Sequence, residues 1–145
     1  MIRISRRTGV AVFAACLLTQ VAALADEERS SSVRVSTPGG SASTSMHSAS
    51  GAAGTSTTVH KDLSTPGQAT SKTYHASAGP NGAHVSKTKE SVQANGDGSV
   101  SSNRQHESHT MSDLGNSHHV SNSSTTVGAD GSTAHVKTDA RTTTP

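Results

Sequence analysis

Histidine offers the richest chemistry in this chain. The nine are His47, His60, His75, His84, His106, His109, His118, His119 and His135, and four of them lie between positions 106 and 119 together with Glu107, Met111 and Asp113. Imidazole is a good ligand for Zn, Ni and Cu(II). The single cysteine, Cys16, sits near the N-terminus, so no thiolate competes in the rest of the chain. His106, His109, His118 and His119 are therefore the candidate metal ligands, with Zn, Cu or Ni as the candidate ion. Neighbouring residues of an extended backbone point to opposite faces, so His118 and His119 share an ion only across a turn, and the same holds for His106 and His109. The run His106-Glu107-Ser108-His109 is not a zinc-hydrolase signature, which needs histidines four apart on a helix. The imidazoles also offer a pH response, because protonating all of them adds nine charges.

Other chemistry is missing. There is no Gly-rich phosphate loop ending in Lys-Ser/Thr and no Gly-x-Ser-x-Gly elbow. Ser, His and Asp are plentiful, but a triad needs a core to hold its geometry. After residue 25 the chain has 25 Ser and 17 Thr, and its large apolar residues are few and scattered. An enzyme is not expected.

Residues 1–25 carry Arg3, Arg6 and Arg7, an apolar run from Val10 to Leu18, and Ala23-Leu24-Ala25 before Asp26-Glu27-Glu28. That order is the pattern of a secretory signal peptide, a helical segment cleaved near Ala25. Thr19 and Gln20 break the apolar run short of the roughly 20 residues a span requires. The mature chain then has no membrane span and no disulfide, and its destination is the periplasm or the extracellular space. With the three arginines gone, nine basic residues face ten acidic ones, and a basic stickiness for nucleic acid is not expected.

Elements that could position the histidines are suggested by a loose repeat. Ser56-Thr57-Thr58-Val59-His60 aligns with Ser71-Lys72-Thr73-Tyr74-His75, and Ser86-Lys87-Thr88 follows in the same frame. Asn81-Gly82, Asn95-Gly96, Asp97-Gly98 and Asp130-Gly131 are turn pairs that supply positive φ. Ser, Thr, Val and Gly are poor helix formers, and no 3.6-residue apolar stripe runs through the chain. The expected fold is a low-complexity chain, either largely disordered or a weak all-β repeat of about 15 residues, following the signal helix. Its parts are a signal at 1–25, a flexible Ser/Gly/Ala-rich lead-in at 26–55, the Ser/Thr/His-rich repeat at 56–139 and a tail at 140–145.

Two functions fit these features. The first is an exported non-enzymatic structural or surface-interaction component that self-associates, since backbone ladders of a polar repeat can stack without a large core. The alternative is a His-rich periplasmic protein that binds or buffers Cu, Ni or Zn.

Overall fold

In a computed structural model of the chain, the described residues are 27–145. The expected signal segment and its helix lie outside them. The described chain is all β: β1 (Glu27–Thr37), β2 (Gly40–Gly51), β3 (Gly54–Thr65), β4 (Gln68–Gly79), β5 (Gly82–Ala94), β6 (Val100–Ser112), β7 (Gly115–Val127) and β8 (Thr133–Thr144). They form one antiparallel sheet in the order β1-β2-β3-β4-β5-β6-β7-β8, so each strand bonds only its neighbours in sequence. β1 and β2 occupy most of the stretch expected as a lead-in, and β8 continues through the expected tail to Thr144. Among the described residues no helix is long and apolar enough to cross a membrane.

Five connections are two-residue turns, including Pro38-Gly39, Pro66-Gly67 and Pro80-Asn81. Proline presets the φ of a turn's first central residue, and it has no N–H to leave unpaired there. Of the four turn pairs expected from the sequence, Gly82, Gly98 and Gly131 take positive φ and Gly96 does not. Gly82 is not a central turn residue: Pro80 and Asn81 make the turn, and Gly82 opens β5 with φ 127°. A Cβ there would run into the carbonyl oxygen of Met111 on β6, so this position accepts only glycine without distortion.

The β5–β6 and β7–β8 connections are longer and alike. Asn95 N–H donates to the Ser99 carbonyl (2.8 Å) and Gly98 N–H to the Asn95 carbonyl (3.1 Å); Gly128 and Gly131 repeat the pattern with Ser132 and Gly128 (2.8 and 3.0 Å). This is a tight turn closed by a left-handed glycine. Asp97 and Asp130 each accept the backbone N–H of the serine two residues on, Ser99 and Ser132, at 2.9 Å. A Cβ added at Gly98 would stand 3.3 Å from the Cβ of Ala129 in the other loop.

The strand spacing lies close to the expected period of about 15 residues. β2, β3, β4 and β5 begin at Gly40, Gly54, Gln68 and Gly82, an interval of 14, and β6 and β7 begin 15 apart at Val100 and Gly115. The strands are antiparallel and the turns hold two residues, so a side chain keeps its face in the next strand only at an odd interval. The 15-residue spacing of Ser41, Ser56, Ser71 and Ser86 therefore reports a shared face, not the strand period. Ser101 continues that frame but lands on the opposite face, because the Asn95–Ser99 loop lengthens the connection.

The pairing registers divide the side chains into two unlike faces. One, the apolar face, carries Val33, Val35, Met46, Val59, Leu63, Tyr74, Val85, Met111, Val120 and Val136. The other, the hydroxyl face, carries mostly Ser, Thr and His, with Val92, Val100 and Val127 gathered at its loop end. Among the described residues no hydrophobic side chain is buried, and only Ser99, at 8% exposed, counts as buried at all. Tyr74 is 38% exposed and Leu63 55%. The sheet has one layer and no core of its own.

Candidate metal centre

The hydroxyl face arranges histidines in a band. His47, His60, His75, His84, His106 and His119 come one from each strand β2 to β7, and the registers place them within three successive rows of that face. Ring centroids are 6.1 Å apart for His75 and His84, and 6.0 Å for His106 and His119.

A recurrent pairing fixes these rings. Nδ1 of His60, His75, His84, His106 and His135 is hydrogen-bonded to Oγ1 of Thr73, Thr58, Thr110, Thr88 and Thr125, at 2.8–3.0 Å. In all five the partners are directly opposite in register. Cross-strand opposition brings Cβ atoms within about 5.5 Å, which a threonine hydroxyl and an imidazole can span. Carboxylates meet Nε2 of His60 and of two further rings: His60 Nε2 lies 2.9 Å from Asp62 Oδ1, His47 Nε2 3.2 Å from Glu28 Oε1, and His119 Nε2 3.8 Å from Asp139 Oδ1. Lys137, then Ser121, holds the Asp139 carboxyl below its ordinary range.

The four histidines singled out from the sequence do not form one cluster. His106 and His119 lie on the hydroxyl face, whereas His109 and His118 lie on the apolar face with the sheet between the pairs. His109 and His118 are register partners, with rings stacked at 4.0 Å and an interplanar angle of 11°. Glu107, two residues before His109 on β6, shares their face. Its Oε1 lies 3.5 Å from His109 Nε2 and 3.3 Å from His118 Nε2. Hydrogen bonds from His109 and then His118 hold the Glu107 carboxyl below the usual carboxylate range. The ligand atoms of Glu107, His109 and His118 all lie within 4.8 Å of one another. Asp113 is in the β6–β7 turn, and Met111 follows His109 on the same face.

A shallow groove of about 380 Å³ on the apolar face leads to this cluster past Val59, Tyr74, Val85 and Lys87. Next to it runs a row the sequence did not reveal: Lys61, Lys72 and Lys89 are register partners on β3, β4 and β5. Lys87 lies one row over, with its Nζ 6.0 Å from the Tyr74 ring centroid. Basic residues dispersed along the chain thus converge on one patch.

No protein-family model matches the chain, and no curated protein or solved structure is significantly similar to it.

Proposed function

We propose that this chain is an exported, non-enzymatic structural or surface-interaction component whose apolar face is covered by self-association. The observation that carries this reading is the segregation of ten large apolar side chains onto one face of a sheet that buries none of them. Exposed apolar surface of that extent is unfavourable in water and marks an interaction face. The edge strands β1 and β8, each with one partner, are further places where chains can add.

Sedimentation velocity over a concentration series tests it. The wild type should associate, and Val59→Lys with Val85→Lys should hold the protein as a monomer with its β circular dichroism intact. The lysine row crosses the same face, so association should strengthen as salt screens it. A wild type that stays monomeric at every concentration and salt level counts against the reading.

The histidine band favours a second reading, binding or buffering of Zn, Cu or Ni in the periplasm or outside the cell. Equilibrium dialysis of the untagged protein against each ion tests it, with retention expected and no retention fatal.

A further inference from the structure

We infer that Glu107, His109 and His118 form a discrete centre for a single zinc-class divalent ion on the apolar face, separate from the histidine band on the other side of the sheet. The inference rests on the metal reading and makes it specific, and the centre shares its face with the surface proposed for self-association. A tetrahedral zinc centre with bonds of about 2.0–2.1 Å sets its ligand atoms about 3.3–3.4 Å apart. The Glu107 oxygen already stands 3.3 Å and 3.5 Å from the two Nε2 atoms. Two imidazoles and one carboxylate are a borderline donor set suited to zinc, and three protein ligands leave a fourth corner for water.

The register builds the site without a special loop. His109 and His118 must face each other once Ser112 pairs with Gly115, and Glu107 falls on the same face because it is two residues away. One adjustment remains. An ion sits near the plane of each ring it binds, and these rings are nearly parallel, so ligation must splay them by rotation about χ2. With side-chain exposures of 52% and 40%, both rings have room to turn. His109 and His118 aim Nε2 at one shared carboxylate, whereas His47, His60 and His119 each meet a different one.

The test is zinc titration calorimetry on the untagged full-length chain and on Glu107→Gln, His109→Gln, His118→Gln and the double variant His106→Gln/His119→Gln, with folding checked by circular dichroism. We expect one tight zinc per chain, weakened about tenfold or more by each of the first three substitutions and unchanged by the double variant. Amide signals of residues 107, 109 and 118 should shift together at the first equivalent, and Co(II) in place of zinc should give a tetrahedral visible spectrum. Zinc binding lost only in the double variant would overturn this centre while sparing the metal reading. Binding that survives all three single substitutions would do the same, and no zinc binding by the wild type would overturn the centre and leave the metal reading to the copper and nickel dialysis.

Discussion

Lys61 and Lys72 stand directly opposite each other on β3 and β4, and Lys89 extends the row on β5. Like charges in that position destabilise a sheet by about 0.2–1 kcal/mol per pair. Lys72→Glu replaces two repulsions by two attractions. Its thermal midpoint should rise above that of the wild type in low salt, and the gain should shrink as ionic strength increases.

Two glycines should respond oppositely to alanine. Gly82 has φ 127° and no space for a Cβ beside the Met111 carbonyl, so Gly82→Ala should cost about 1–3 kcal/mol. Gly96 has open space around it and is not among the positive-φ glycines, so Gly96→Ala should be neutral or stabilise by about 0.4–1 kcal/mol through the unfolded chain. Urea unfolding of the two variants beside the wild type measures both.

The two Asp-Gly-Ser loops make stability depend on acid. The Ser99 side chain and then its backbone N–H lower the Asp97 carboxyl, and Ser132 does the same for Asp130. A folded-state pKa below the unfolded value contributes stability that is complete above the ordinary carboxylate range and is lost as pH falls through the lowered value. Asp97→Asn/Asp130→Asn should therefore flatten the urea midpoint against pH below about pH 4, the ordinary carboxylate range. An unchanged slope would show that these loops contribute nothing to the acid response.

The threonine–histidine pairs predict ring order. Thr110→Val removes the 2.9 Å contact to His84 Nδ1. The ¹⁵N imidazole spectrum of His84 should move toward that of a solvent-exposed histidine, while stability falls by about 1 kcal/mol or less.

Part of the all-β fold can be read from local sequence, because Asp97-Gly98 and Asp130-Gly131 mark turns whose glycines take positive φ, and Ser, Thr and Val disfavour helix. The two-faced character is harder to read. Val59, Tyr74 and Lys87 share a row only once two registers are known, and Tyr74 and Lys87 lie far apart in any alternation pattern. The metal cluster depends on one turn. A two-residue turn at 113–114 puts 109 opposite 118, but Leu114 is no turn residue, and Gly115 alone does not say where the bend falls. Grouping His106 with His119 and His109 with His118 therefore needed the register. Glu107 was visible as a neighbour, but its role follows from sharing a face with His109.

The neighbour-only strand order has a kinetic and evolutionary consequence. A sheet in which every contact joins adjacent segments behaves as a one-dimensional chain of interfaces, with stability the sum of intrinsic strand terms and nearest-neighbour couplings. Such a chain can nucleate at any hairpin and zip outward, with low contact order favouring speed. It frays from β1 and β8 inward, so amide exchange should slow stepwise toward β4 and β5. Strand pairs can also be duplicated or deleted without rethreading the remainder, so the length of such a protein is free to vary where its repeat is not.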